Sequence, residues 1–346
     1  MPVDFPPHRP PALARRLGKF ALFLARGHPP ALAWWLASRD AVRRQSYRGV
    51  TRAALEAAWR ADPTWVDLVV RGPHIHSAAL GLEFTGEDPA SRGYATWRSL
   101  HRLGWEFSRE GERLLARRDG LTLGIETAEE EEMLAEIYLR RCYDLRLPGR
   151  WQVVDIGANV GMAALFFAQQ PGVEHVHAFE PFAPTADTLQ RQLERNPHLA
   201  ARISLTRLAL GEKAGQLTVD YHAELRGSMS LAGLGAWRGA PVGPAQRISV
   251  QVQPASAALA SVFSAQGNCR LLAKLDCEGS EYGILRELDA SGSLARFSAF
   301  VIEWHGQGPD ALVEILARRG FVVHVAPLSD DPRVLGLIYA VLPAAR

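Results

Sequence analysis

Residues 151–180, WQVVDIGANVGMAALFFAQQPGVEHVHAFE, constrain the fold more tightly than any other stretch of the chain. Val153-Val154-Asp155-Ile156 is short, β-branched and largely apolar, which suits a strand buried on both faces, and Met162 to Gln169 continues as a helix former. Gly157-Ala158-Asn159-Val160-Gly161 lies between them. Glycines at such a junction let the backbone turn sharply and let a ligand come close, and the helix N-terminus that follows offers N–H groups to a carboxylate or phosphate. Val176-His177-Ala178-Phe179-Glu180 then reads as a second strand ending in an acid, the place from which a carboxylate accepts ribose hydroxyls. The pattern predicts a nucleoside-bearing ligand. The competing reading is a structural βαβ unit whose glycines only turn the chain.

A dinucleotide fingerprint G-x-G-x-x-G starting at Gly157 needs glycines where the chain has Asn159 and Met162, which disfavours a bridging pyrophosphate. The pattern D-x-G-x-N-x-G from Asp155 to Gly161, with Glu180 downstream, instead resembles motif I of S-adenosylmethionine-dependent methyltransferases. That resemblance implies a turn that holds the methionine end of the donor and a Glu that holds its ribose.

Length leaves room for two domains, or one large domain with an extension, in 346 residues. The overall net charge of +2 hides an asymmetry. Residues 1–60 hold 11 Arg and Lys against 3 Asp and Glu, a net +8, and the remaining 28 basic and 34 acidic residues leave −6. Cys142, Cys269 and Cys277 lack C-x-x-C spacing, which disfavours a disulfide framework and a zinc site and predicts a reducing, cytoplasmic setting. The longest early apolar run, Phe20–Ala25, is cut by Arg26 and falls far short of the roughly 20 residues that a membrane span needs.

Residues 1–110 are expected to form a mainly helical accessory region. After a proline-rich start the pattern is helical from Pro11 to about Arg71: Leu13, Leu17, Phe20 and Leu24 recur at helical spacing, a second helix is expected around Trp35 and a third from Thr51 to Ala61. This basic section reads as a helical layer packing on the rest of the chain or on a partner chain, or as a surface that meets an anionic partner or membrane face. Six of the nine tryptophans precede residue 110, and burial accounts for them better than ligand stacking. Gly81–Gly93 reads as a loop. Asp119-Gly120 is the strongest hairpin signal, and Thr127-Ala128-Glu129-Glu130 opens a helix as a capping box.

Residues 111–346 alternate strand and helix patterns, which predicts an α/β, Rossmann-like, doubly wound and mostly parallel seven-stranded sheet with ligands at its carboxyl edge. Arg270–Leu275 and Ser298–Ile302 read as buried strands, and their ends carry polar residues, Lys274-Leu275-Asp276-Cys277-Glu278-Gly279-Ser280-Glu281-Tyr282 and Ile302-Glu303-Trp304-His305. Parallel neighbours would bring Asp276, Glu278, Glu303 and His305 to the rim that holds Gly157 and Glu180.

DIGANVG, AFEP, ALGEKAG, the GSMS loop, KLDCEGSEY and IEWH, in this order over about residues 113–342, resemble the FkbM-type methyltransferases, class I enzymes that often methylate hydroxyls of sugars, polyketides and other secondary metabolites. The resemblance implies donor contacts from Asp155, Gly157, Asn159, Gly161 and Glu180, with Ala209 or Leu210 near the adenine, and it puts Asp276 and Glu278 at the junction of donor and acceptor. One departure is Leu259-Ala260, where members often have Leu-Asp.

Transfer to an alcohol requires an acceptor held in line and a group that takes its proton. His305 ranks first as that base, because an ordinary imidazole titrates near 6.5; Asp276 or Glu278 are the alternatives, with Glu303 beside them. The same groups suit Mg²⁺ or Mn²⁺, but the spacing matches no metal motif, so no metal ligand is assigned. Lys274 reads as a counter-charge for these acids. Ser228 and Ser230 read as turn serines or as contacts to donor or acceptor. The expected partners are a small-molecule or glycan acceptor and a second copy through the N-terminal region, with no nucleic acid, since no stripe of Arg and aromatics flanks the pocket. Two further readings are an NAD-dependent oxidoreductase and a non-catalytic cofactor-binding scaffold.

Overall fold

Val153, Val154 and Ile156 are almost wholly buried in the middle of a seven-stranded sheet, as a β-branched run bounded by glycine should be. The computed structural model describes residues 68–71, 74–77, 80–85, 94–111, 113–145, 147–231, 233–234 and 244–343. The chain divides between Ala116 and Arg117 into two units.

Among the described residues of the first unit, strands Leu68–Arg71, His74–Ser77 and Leu82–Thr85 pair antiparallel, and a helix spans Tyr94–Arg102. The expected helices between residues 11 and 61, and the accessory role given to them, lie outside the described residues. Two expectations are corrected. Leu68–Arg71 is a strand where helix was read up to about Arg71, and Leu82–Thr85 is a strand inside the stretch read as a loop. Val69 and Val70 favour extended backbone, and Leu82 buries its side chain on one face of a short strand. Trp97 and Trp105 are both buried.

In the second unit, β1 (Leu121–Ile125) leads into α1 (Ala128–Leu134), and Asp119 and Gly120 before it have the positive φ of 50° and 79° that a tight hairpin turn demands. Thr127 caps α1 as the sequence predicts, its side chain accepting from the Glu130 N–H. Then follow β2 (Trp151–Ile156), α2 (Met162–Gln169), β3 (Val173–Phe179), α3 (Ala183–Arg195) and β4 (Ile203–Thr206). Strands β5 (Ala209–Gly211), β6 (Gly215–Tyr221) and β7 (Gln246–Pro254) form a separate small sheet. The main sheet resumes with β8 (Arg270–Leu275), α4 (Glu281–Ala290), β9 (Ala299–His305), α5 (Asp310–Arg318), β10 (Val322–Pro327) and β11 (Leu335–Val341).

The main sheet runs β10-β11-β9-β8-β2-β3-β4, with β11 antiparallel to both neighbours and the other recorded pairings parallel. This is a Rossmann-like fold, and its order reverses between β2 and β8, so ligands are expected beyond the carboxyl ends of those strands. Helix α2 is buried from Met162 to Ala168, which fits its unbroken apolar sequence rather than an amphipathic one. Each Leu or Phe so buried contributes roughly 1.5–3 kcal/mol. Among the described residues, no helix is long and apolar enough to cross a membrane.

Candidate active site

The turn after β2 is shaped by what stands over it. Gly157 has a φ of 77°, and a Cβ there would lie 1.9 Å from the carbonyl oxygen of Asp276, so no side chain fits. Asn159 also takes a left-handed conformation, which asparagine tolerates better than most residues. The N–H groups of Gly157 and Ala158 both donate to the Phe179 carbonyl, and the Asn159 N–H donates to Glu180 Oε2 at 2.9 Å. The Phe182 N–H donates to Glu180 Oε1 at 2.9 Å, which ties the acid at the end of β3 to the turn and to the start of α3. Burial pushes the Glu180 carboxyl up to about 7, while these two N–H bonds work the other way. Each of its oxygens keeps a second lone pair.

Beside this turn lies a hollow of about 570 Å³, open to solvent, lined among others by Gly157, Asn159, Glu180, Ala209, Leu210 and Asp276. Two residues expected to touch a donor do not line it. Asp155 is fully buried beneath the turn, and Lys274 Nζ lies 3.2 Å from its Oδ1 while donating to the Gly157 carbonyl at 2.6 Å. Gly161 packs instead against Leu189 of α3, whose Cγ would stand 2.7 Å from an added Cβ. Both therefore act on the turn from behind. Burial opposes the Lys274 ammonium, but Asp155 and Asp276 outweigh it and hold its pKa above the ordinary lysine range.

A second hollow, of about 1180 Å³, shares Asn159, Gly227, Asp276 and Glu278 with the first. Parallel pairing of β2, β8 and β9 brings all four rim residues, Asp276, Glu278, Glu303 and His305, to its wall. The Tyr143 hydroxyl donates to Asp276 Oδ2 at 3.2 Å, and Lys274 lies 3.4 Å from the same oxygen. β9 runs further than the expected Ser298–Ile302, so Glu303 and His305 sit within the strand rather than after it.

His305 is buried and contacts Glu281 through Nδ1 at 3.1 Å. Its Nε2 stands 4.0 Å from Asp276, 3.8 Å from Glu278 and 3.7 Å from Glu303. Burial would lower its pKa, but the Glu281 hydrogen bond and the charges of Glu281, Glu278 and Asp276 raise it to about 10. A base must begin unprotonated, whereas the acids around His305, the group ranked first from the sequence, favour its imidazolium. Burial first, and Asp276 second, push Glu303 well above the ordinary range.

The same contacts bear on a metal. Asp276, Glu281 and His305 each offer one atom within 4.8 Å of the others. Glu281, however, accepts the Cys277 N–H and His305 Nδ1 on Oε1 and the Gly279 N–H on Oε2, and the surroundings of His305 favour the imidazolium, whereas a metal needs the neutral ring.

Sequence reasoning missed the acids of α1 and of the turn behind it. Glu129 accepts the Gly227 N–H at 2.7 Å and the Ser228 hydroxyl at 2.6 Å, which ties the GSMS loop down; Ser230 lines the first hollow. Glu132 and Glu136 line the second. Glu136 projects from a π-helical turn, Ala135–Leu139, closed by an Arg140 N–H bond to the Ala135 carbonyl. Such turns recur at functional sites. Burial pushes Glu136 up to about 7, against the pull of Arg140. The signal was visible as a run of four glutamates, Glu129 to Glu132, more than one cap requires.

A Rossmann-like sheet whose glycine turn and neighbouring acid open on one hollow, sharing residues with a second acidic one, is the arrangement expected of a nucleoside-binding domain. Residues 155–323 match the methyltransferase FkbM domain, the family that the sequence motifs resemble. The chain is 26% identical over 171 residues to Methyltransferase 1 of Beauveria bassiana, covering 46% of this chain and 68% of that protein. It is 27% identical over 218 residues to Methyltransferase sdnD of Sordaria araneosa, covering 57% of this chain and 84% of that protein. Among solved structures it is similar to Methyltransferase FkbM from Methylobacillus flagellatus, at 16% identity and a TM-score of 0.39, over 92% of this chain and 69% of that one.

Proposed function

We propose that this methyltransferase uses S-adenosylmethionine to methylate a hydroxyl of a small molecule, sugar or secondary metabolite. The observation that carries the reading is the Glu180 carboxylate, bonded to the N–H of Asn159 on a turn no side chain can fill, beside a hollow that shares four residues with a second one. When bound, S-adenosylmethionine supplies a methyl group already activated on a sulfonium. Glu180 then accepts from the ribose hydroxyls, and Ala209 and Leu210 flank the adenine. Asp276 and Glu278, common to both hollows, sit where a positive donor meets its acceptor.

The acceptor occupies the second hollow, and a rim carboxylate takes its proton. Glu303 suits that role by position, because it lines the hollow and stands 3.7 Å from His305 Nε2, whose charge favours its carboxylate form against burial and Asp276. Glu129, Glu132, Glu136, Asp276, Glu278 and Glu303 line this hollow against Lys274 and His305. Such a lining repels phosphorylated or carboxylated acceptors and admits neutral polyols and amine-bearing ones.

Calorimetry with S-adenosylhomocysteine on the wild type and on Glu180→Ala tests the donor assignment. Saturable binding by the wild type is expected, weakened about 100-fold in the mutant by loss of charge-assisted ribose bonds. A folded wild type that ignores S-adenosylhomocysteine but binds NAD would replace this reading with the oxidoreductase.

A further inference from the structure

Glu281 stands one residue outside the groups that a donor or acceptor would touch. It opens α4, it is fully buried, and it gathers three partners from two elements. The Cys277 and Gly279 N–H groups donate to it at 2.6 and 2.8 Å, and His305 Nδ1 lies 3.1 Å away. The segment between its first two partners holds Glu278 and Gly279 at φ of 53° and 105°, a strained path for Glu278 that needs bonds to persist. That segment also leans on the glycine turn: the Asp276 N–H and the Cys277 thiol both donate to the Ile156 carbonyl, and the Asp276 carbonyl fills the space over Gly157.

We propose that Glu281 is a positioning residue: one buried carboxylate sets the Asp276–Ser280 loop on the seam between the two hollows and orients the His305 ring toward the rim carboxylates. This rests on reading the hollows as donor and acceptor sites. The groups that face His305 are Glu281 from α4, Asp276 and Glu278 from the loop, and Glu303 from its own strand. Lys274 adds a positive charge behind Asp276. Three of the acids surround Nε2, whereas Glu281 alone of the four holds Nδ1. Removing its charge therefore changes the ring's orientation as well as its field.

The test uses the full chain carrying Glu281→Gln, with two readings: the titration of the His305 ring by nitrogen-detected NMR, and the calorimetric affinity for S-adenosylhomocysteine. The His305 midpoint is expected to fall by more than about one pH unit toward its ordinary range, and the affinity to drop about tenfold as the loop relaxes over Gly157. An unmoved titration, or an unchanged affinity, overturns the proposal. Should Glu281→Gln fail to fold, Glu281→Asp replaces it. The shorter acid keeps the charge but cannot span all three bonds, so the midpoint should stay within about one unit of wild type while affinity still falls; wild-type affinity in that variant overturns the proposal. If the wild type binds no S-adenosylhomocysteine, the donor reading fails by itself, and the His305 titration alone decides the role of Glu281.

Discussion

The two hollows share a wall and are built from different materials. The first is made of backbone: a turn whose N–H groups are paired, a glycine no other residue can replace, and one acid fixed by two N–H bonds. The second is made of charge: carboxylates from α1, from the π-turn behind it, from the loop after β8 and from β9 converge around one lysine and one histidine. Backbone geometry recognises a ligand whose shape is constant from one turnover to the next. Side-chain charge can vary with the partner while the sheet beneath it stays the same. A transferase with a fixed donor and a variable acceptor needs both.

The largest effect expected from this contrast is at Gly157. Gly157→Ala places a Cβ against the Asp276 carbonyl and puts alanine at a φ of 77°, which should cost more than about 3 kcal/mol in urea unfolding and abolish donor binding. Full stability in that variant would mean that the backbone side is no more rigid than the charged side.

Glu303→Gln addresses the charged side. With an acceptor found by screening sugar and polyketide hydroxyls, kcat should fall about 100-fold, while affinity for S-adenosylhomocysteine changes less than about twofold. Equal losses in both would join the two hollows into one functional unit.

The smallest effect is on stability against pH. Glu180 is raised from 4.5 to about 7, so the stability linked to its proton is complete below 4.5 and is lost as pH rises through 7. His305 is raised from 6.5 to about 10, so its contribution is complete below 6.5 and is lost as pH rises through 10. Thermal unfolding should therefore show two successive declines, each on the order of 1–3 kcal/mol. Glu180→Gln should shrink the first, to which Glu136 also contributes because its carboxyl is likewise raised from 4.5 to about 7, and leave the second; if both vanish together, the hollows are electrostatically coupled.

The strands of the main sheet were legible because buried parallel strands read as short apolar runs, and Val153–Ile156 and Arg270–Leu275 lie where the pattern put them. The ends were less legible. β9 continues through Glu303 and His305 because pairing with β11 from Ala299 to His305 outweighs the polar character of those residues. Leu68–Arg71 and Leu82–Thr85 were misread because four-residue strands are too short to display a period. In the site, Gly157, Asn159 and Glu180, read from spacing, line the first hollow, whereas Asp155, expected beside them, is buried with Lys274 behind the turn. Glu129 was absorbed into a helix-capping pattern, and Glu132 and Glu136, further along, carried no motif that singled them out.

Local chemistry along the chain is enough to specify a glycine turn after a buried strand with an acid one strand over, since steric freedom and lone pairs belong to residues close in sequence. Folding alone brings Glu136, Asp276, Glu281, Glu303 and His305 together from positions up to 169 residues apart. It also turns the imidazole from a free base into a held cation, because a protonation state is set by burial and by neighbouring charge, neither of which exists until the sheet has formed.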